Sequence, residues 1–265
     1  MIGAALLLLA SQLDPAPPPP TPPLSAPSAV APLQFAPPLG QPMTYRVTSR
    51  RLGRDGAMMT YALVYALQWD RAGRGLQLTA TLRRIETDAR PELARRLTGL
   101  LRPLVGQPMT YLVASDGSSI DLVDPDAQWQ RVLDRVQDMG AKAERDEAKQ
   151  LAALLAALSP ADRDKMVTAD VRALVAPANM AIPASNSAAD VAVVQEGGRR
   201  TVTRVERTAI GAGAPDSHEQ VEIATVWTID TATGLVLSEE RKTLAGAEAR
   251  LVEERIRGLT RGDPS

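Results

Sequence analysis

The 265-residue sequence has no cysteine, few aromatic residues and almost no net charge. The lack of cysteine excludes disulfides, thiolate metal sites, a cysteine nucleophile and a lipid anchor on cysteine. Because 31 acidic residues offset the 30 basic ones, the chain has no positive field of the kind that attracts nucleic acid. No apolar run approaches the roughly 20 residues of a membrane span. A hydrophobic fraction of 45% also excludes a wholly disordered chain.

The first ten residues are almost all apolar. This run is too short to span a bilayer, and its length is typical of the core of a signal peptide. We therefore expect residues 1–12 to be a signal peptide, which gives a periplasmic or otherwise exported protein with no transmembrane span after its removal. Since no Lys or Arg precedes Arg46, an apolar first element of the folded domain remains the alternative.

A proline-rich segment follows, in which eleven of the residues 15–38 are proline. Proline has no N–H for a sheet and does not fit inside a helix, so residues 13–39 are predicted to be a disordered, extended linker. The linker acts either as a spacer or as a ligand for a proline-binding module, and we favour the spacer. Residues 40–260 then form one domain, with a flexible tail at 261–265.

The first part of this domain has the pattern of β-strands. Every second residue from Met59 to Trp69 is a large apolar or aromatic one, which predicts a strand with one apolar face. Asp116 and Gly117 form the strongest hairpin signal in the chain. Further strands are predicted at 43–47, 76–82, 109–114 and 119–123.

A helical block separates these strands from a second group. Asp124 and Pro125 are typical of an N-cap and a first helical position, and Ser159 with Asp162 predicts another helix start. Apolar stripes at helical spacing follow both starts and also occupy residues 151–158. A short helix is predicted at 91–102, and strands are predicted at 190–196, 201–208, 221–229 and 235–244. The pattern of residues 247–258 fits a strand or a helix, and we predict a strand.

This order of elements predicts an α+β fold. A sheet with an apolar face and a group of helices bury their apolar surfaces most economically against each other. We therefore expect a curved, half-barrel-like antiparallel sheet of about eight or nine strands, packed on a central helical block.

The sequence GQPMTY occurs twice, at residues 40–45 and 106–111. Each copy opens a predicted strand, with proline at the entry, where the missing N–H is tolerated. The two copies are either two instances of one binding element, with Met43, Tyr45, Met109 and Tyr111 as its residues, or two similar strand starts. We favour the second interpretation.

The sequence shows no catalytic or metal constellation. The one histidine, His218, follows a glycine-rich loop and is interpreted as a solvated turn residue. Asp121, Asp124 and Asp126 lack the glycine and terminal glutamate of a calcium loop. Adjacent acidic residues on a strand point to opposite faces, so Glu239-Glu240 is not an acid/base pair. With no nucleotide-binding motif either, we predict no catalytic residues, no metal, no cofactor and no enzymatic activity.

The element order and the predicted export give the segment from Met43 to Gly258 a resemblance to periplasmic lipoprotein carriers of the LolA and LppX type. The chain also resembles exported proteins of alphaproteobacteria. The carrier resemblance implies an apolar cleft between sheet and helices that holds a lipid-like ligand. The alternative is a structural or protein-interaction module of the cell envelope, with an envelope protein as partner and no small-molecule site. The residues predicted to wall the cleft are Tyr61, Tyr65, Ile223 and Trp227 from strands, and Leu133 and Leu155 from helices.

Overall fold

The computed structural model of the chain describes residues 32–53, 56–91, 94, 98, 101–143, 157–179, 189–210, 219–246 and 248–262. Within these residues, segments of alternating apolar residues form ten strands, several of which are joined by glycine-containing turns. Their bounds are β1 Met43–Leu52, β2 Met58–Ala72, β3 Gly75–Thr87, β4 Pro108–Val113, β5 Ile120–Leu122, β6 Ala189–Glu196, β7 Arg199–Ile210, β8 Glu219–Asp230, β9 Val236–Ala245 and β10 Arg250–Arg261.

All ten strands belong to one open antiparallel sheet in the order β5-β4-β3-β2-β1-β10-β9-β8-β7-β6. The first and last strands of the chain pair at its centre, with Met43 opposite Arg261 and Tyr45 opposite Leu259. The sheet therefore has an N-terminal half, β1–β5, and a C-terminal half, β6–β10. This architecture confirms the predicted antiparallel sheet with a smaller helical part, with slightly more strands than expected. In the segment 247–258, whose pattern fitted a strand or a helix, the residues from Arg250 onward belong to strand β10, as predicted.

Among the described residues between the halves are two long helices, α1 at Pro125–Ala143 and α2 at Pro160–Asn179. Both starts were predicted. The Gln128 N–H donates to the Asp124 carbonyl oxygen, and the Asp162 N–H donates to the Ser159 Oγ at 3.2 Å. A 3₁₀ turn spans Arg102–Leu104, and the described residues of the predicted helix at 91–102 that precede this turn are helical. Most of the leucine stripe at 151–158, including Leu155, lies outside the described residues.

The main core lies between the N-terminal half of the sheet and α2. Val171, Leu174 and Val175 of α2 are buried there with residues of β1–β5. A second, smaller cluster lies on the C-terminal half, where Val202, Ile229 and Val236 are buried and Trp227 packs against them. Helix α2 therefore packs on the N-terminal half of the sheet and also approaches strands β8 and β9 of the C-terminal half.

The central part of β2 is buried on both of its faces. Leu67 and Trp69 face the main core, as the alternation predicted. Val64 is on the opposite face and is nevertheless only 1% exposed. It lies in register between Arg46 and Arg84, which both bind the Glu86 carboxylate. The aliphatic parts of such arginines cover apolar surface, which explains the burial.

The segment just before β1 packs on the sheet. Phe35 is 5% exposed, and its ring meets the Trp69 ring edge-on with centroids 5.5 Å apart. The Ala36 N–H donates to the Thr233 carbonyl, and the Gly40 N–H donates to the Trp69 carbonyl. Residues 32–39, predicted to belong to the disordered linker, are therefore part of the packed structure. The predicted signal peptide and the remainder of the linker lie outside the described residues.

The C-terminal end of β10 extends beyond the predicted domain limit at residue 260. Met43 pairs with Arg261, and the Gly262 N–H donates to the Pro42 carbonyl at 2.9 Å. The side chain of Thr44 also donates to the Gly262 carbonyl. Residues 261–262 are therefore tied to β1, while residues 263–265 of the predicted tail lie outside the described residues.

Candidate ligand cavity

A cavity of about 620 Å³ lies between the N-terminal half of the sheet and the two helices. Its floor is formed by strands β1–β5, and its other walls come from α1, α2 and the 3₁₀ turn. Most of the residues on the sheet side are apolar or aromatic. They are Tyr45, Leu63, Tyr65, Leu67, Leu78, Ala80, Met109, Tyr111 and Leu122.

Both repeated GQPMTY segments contribute to this cavity, with Tyr45 from the first copy and Met109 and Tyr111 from the second, whereas Met43 does not line it. Met43 on β1 pairs with Leu67, Leu67 pairs with Ala80, and Ala80 pairs with Met109 on β4. Met43 and Met109 therefore lie at the two ends of a straight row of paired residues that crosses four strands. Since β1 and β4 run in opposite directions, the two copies are related by an approximate two-fold axis at the central pair of this row. Both strand starts contribute a tyrosine to the cavity.

Three tyrosines line the floor, and their hydroxyls have different surroundings. The Tyr45 hydroxyl donates to the backbone carbonyl of Asp170 at 3.2 Å. The Tyr111 hydroxyl lies 3.6 Å from the Met109 Sδ. Tyr65 pairs across the strands with Tyr45, and their ring centroids are 6.4 Å apart. The Tyr65 hydroxyl has no hydrogen-bond partner within the described ranges.

Burial makes these three tyrosines harder to ionise. Desolvation is the main cause that raises the pKa of Tyr45, Tyr65 and Tyr111 above its ordinary value, because the phenolate loses water that the sheet does not replace. The nearby carboxylate of Asp170 raises the pKa of all three further. The floor therefore presents neutral hydroxyls on an otherwise apolar surface.

One face of α1 forms the opposite wall. Trp129, Val132 and Arg135 follow one another at intervals of three residues, Gln128 lies four residues before Val132, and all four line the cavity. From α2, the guanidinium carbon of Arg163 lies 5.2 Å from the centroid of the Trp129 ring, a cation–π contact between the two helices. When the Gln107 amide is oriented with its oxygen toward Arg135, this oxygen accepts hydrogen bonds from both terminal nitrogens of the guanidinium. This contact ties α1 to the segment before β4.

Arginine and aspartate side chains are equally numerous on the cavity wall, where Arg131, Arg135, Arg163, Asp126, Asp164 and Asp170 are the charged residues. Asp164 forms an exposed ion pair with Arg172. The Asp170 Oδ1 lies 2.9 Å from Nη2 of Arg257, which also binds the Glu239 carboxylate. Two of the three carboxylates are therefore held by arginines outside the cavity wall.

The structure places one of the six predicted cleft residues on the cavity wall. Tyr65 lines the cavity, whereas Tyr61 and Leu133 are not among its lining residues. Ile223 and Trp227 are on β8, four strands from β2 and so roughly 20 Å away along the sheet. Leu155 lies outside the described residues. The structure therefore does not bring the predicted set together, because facing the same side of a sheet does not fix the position of a strand within it.

Several further lining residues belong to patterns that are visible in the sequence. Met109 and Tyr111 belong to the second GQPMTY copy. Trp129 and Val132 belong to the apolar stripe of α1, next to the chosen Leu133. Whether Val132 or Leu133 faces the cavity depends on the rotation of α1 about its axis, which tertiary packing determines.

Other candidate sites are not supported by the described part of the chain. No group of three or more His, Asp or Glu side chains there could hold a metal ion. In the same residues, no helix combines the length and the apolar character that crossing a bilayer requires. The histidine at position 218 lies outside the described residues.

No protein-family model and no curated protein matches this chain. Among solved structures it is similar to one described as "Lipid-protein interactions in lipovitellin", with a TM-score of 0.39 and 9% identity over 85% of this chain and 25% of that chain. This chain thus spans about a quarter of that lipovitellin chain. A second structure, an N-terminal dehydratase from the difficidin assembly line, gives a TM-score of 0.13 and 11% identity over 81% of this chain and 77% of that chain. Neither similarity assigns the chain to a family.

Proposed function

We propose that this protein is a non-enzymatic binder or carrier of an apolar, lipid-like ligand, which it holds in the cavity on the N-terminal half of the sheet. The cavity itself carries the proposal. A packed core leaves few voids larger than a water molecule, whereas a volume of about 620 Å³ lies in the range of small-molecule sites. Leu63, Leu67 and Leu78 from the floor give this space the apolar walls that a hydrocarbon chain needs.

The polar residues of the wall support binding rather than catalysis. The carboxylates of Asp164 and Asp170 are held in ion pairs. The three tyrosines are neutral at physiological pH, and burial raises their pKa still further. A tyrosine whose pKa is raised in this way is not suited to act as a general base at physiological pH. The proposed carrier accordingly uses no catalytic residue and no cofactor.

The proposed place of action is the periplasm or another exported location. The support is in the sequence, where an apolar run of signal-peptide length precedes a proline-rich segment. Edman sequencing of the protein recovered from separated cell fractions tests this part. We expect a mature N-terminus near residue 13 in the exported fraction, and intact protein with Met1 in the cytoplasm would contradict it.

Uptake of the neutral fluorescent dye N-phenyl-1-naphthylamine by the purified protein tests the binding site. We expect saturable uptake, and we expect Val132→Trp to abolish it because Val132 lines the cavity. Leu133→Trp is the matched control, since this neighbour on α1 is not a lining residue. Thermal melting of each variant shows whether it is folded. If the unmodified protein takes up no dye, or if both variants bind it equally well, the carrier proposal is wrong. A structural or interaction module of the envelope is then the better interpretation.

A further inference from the structure

The Tyr65 hydroxyl is a hydrogen-bond donor on the cavity floor whose partner is not supplied by the described part of the chain. Tyr65 lines the cavity from the middle of β2. The neighbouring Tyr45 hydroxyl donates to a backbone carbonyl, and the Tyr111 hydroxyl contacts a sulfur atom. Tyr65 is only partly buried. A ligand that displaces water from its hydroxyl without replacing the hydrogen bond incurs a free-energy cost. A ligand with a suitable oxygen atom at this position avoids that cost.

The hydroxyl is fixed in its protonated form. Burial is the main cause that raises the pKa of Tyr65, and the Asp170 carboxylate raises it further. Tyr65 therefore keeps its O–H throughout the physiological pH range. It donates to a ligand and does not accept a proton from one.

The charges beside this hydroxyl disfavour an anionic group. One guanidinium, that of Arg257, serves two carboxylates, those of Glu239 and Asp170. Asp170 itself lines the cavity and acts electrostatically on Tyr65. A ligand carboxylate placed at Tyr65 would lose its hydration on an apolar floor and meet a like charge, both of which are unfavourable. An uncharged carbonyl oxygen meets no like charge, and a hydrogen bond from the Tyr65 hydroxyl compensates for its smaller loss of hydration.

We propose that the ligand is an uncharged amphiphile, a hydrocarbon chain with an ester-type carbonyl oxygen that accepts a hydrogen bond from the Tyr65 hydroxyl. This inference rests on the proposed function and specifies the ligand of the same cavity. In this arrangement the ligand's carbonyl lies at Tyr65. Its hydrocarbon chain contacts Leu63 or Leu67, which lie two residues before and after Tyr65 on the same face of β2.

Competition with the bound dye tests the inference on the full chain. The competitors are decane, methyl decanoate and decanoate, which share the chain and differ in the oxygen group. A neutral hydrogen bond predicts that methyl decanoate binds about two- to tenfold more tightly than decane. Decanoate is expected to bind no better than decane. Because this comparison uses the unmodified protein, it does not depend on the folding of any variant.

Two variants then locate the hydrogen bond. Tyr65→Phe removes only the hydroxyl, so it should abolish the preference for the ester and leave the affinity for decane unchanged. Tyr61→Phe removes the same group four residues away on the same face, outside the cavity wall, and should keep the preference. The inference is wrong if Tyr65→Phe retains the ester preference or if decanoate binds more tightly than the ester. Decane still competes in those cases, so the proposed function survives. If none of the three compounds displaces the dye, both proposals fail.

Discussion

Arg257 on β10 and Glu239 on β9 lie directly opposite each other and form an ion pair that is buried on both sides. Their side chains are 8% and 6% exposed. The same guanidinium reaches Asp170 on α2 through two nitrogens, at 3.2 and 2.9 Å. Arg257 therefore joins the C-terminal half of the sheet to the helix that covers the cavity.

Glu239→Gln should strongly destabilise the protein. It removes one of the two carboxylates that compensate a buried guanidinium, and breaking a buried pair in this way costs about 3–5 kcal/mol. Glu253→Gln is the control, because Glu253 pairs with Arg51 at the surface and such pairs contribute about 0–1 kcal/mol. Urea unfolding of both variants measures the free energies. Equal small losses would show that the buried pair has no special role.

Trp69→Ala should destabilise the protein by about 3–5 kcal/mol, the usual cost of removing a buried aromatic side chain. Trp69 is fully buried and packs edge-on against Phe35. The adjacent Gln68 is exposed on the other face of β2, so Gln68→Ala should change the free energy of unfolding by less than about 0.5 kcal/mol. Similar losses for the two variants would contradict the assignment of the faces.

The alternation of β2 was sufficient to predict that Leu63, Tyr65, Leu67 and Trp69 share the face toward the cavity and the main core, because side chains on a strand alternate with a fixed period. It could not predict that Val64 is buried on the other face, since this depends on Arg46, Arg84 and Glu86 meeting across three strands. Likewise, residues of β8 have the correct alternation, but β8 lies four strands from β2. Strand order depends on long-range pairing, which no local pattern encodes.

The position of Phe35 was also beyond local reasoning. The many prolines around Phe35 predicted a free linker. Proline content indicates that a segment lacks regular secondary structure, but it does not show whether the segment packs on a sheet. Its burial depends on a surface formed by β2 and the turn at Gly234, which are distant in sequence. The GQPMTY repeat, in contrast, was visible in the sequence, and only the strand register shows that its two copies flank one cavity.

Gly234→Ala should destabilise the protein more than Gly198→Ala does. Both glycines have positive φ, +69° and +76°, so both variants incur backbone strain. A Cβ at position 234 would in addition lie 2.6 Å from the carbonyl oxygen of Gln34, whereas one at position 198 meets nothing. The difference in unfolding free energy therefore measures the docking of the segment before β1. We expect it to exceed about 1 kcal/mol, and equal losses would mean that this segment does not pack at Gly234 in solution.

The stability of the protein should fall steeply at alkaline pH. In the unfolded chain the tyrosines lose their protons near pH 10, whereas burial raises the pKa of Tyr45, Tyr65 and Tyr111 in the folded protein. Below pH 10 both states hold these protons, so the contribution of the three groups is fully present. Above it, the unfolded state holds fewer protons, and stability decreases by up to about 1.4 kcal/mol per pH unit for each tyrosine.

Urea unfolding at pH 9, 10 and 11, with tyrosinate absorbance at 295 nm as a second signal, measures this loss. The tyrosinate signal of the three groups should appear together with unfolding and not before it. Tyr111→Phe removes one of the three titrating groups, so its stability should decrease less steeply with pH than that of the unmodified protein. Tyr111 is the suitable position because its side chain is 1% exposed. Titration of all tyrosines in the folded protein near pH 10 would show that water reaches the cavity floor freely, and it would also remove the apolar site on which the proposed ligand depends.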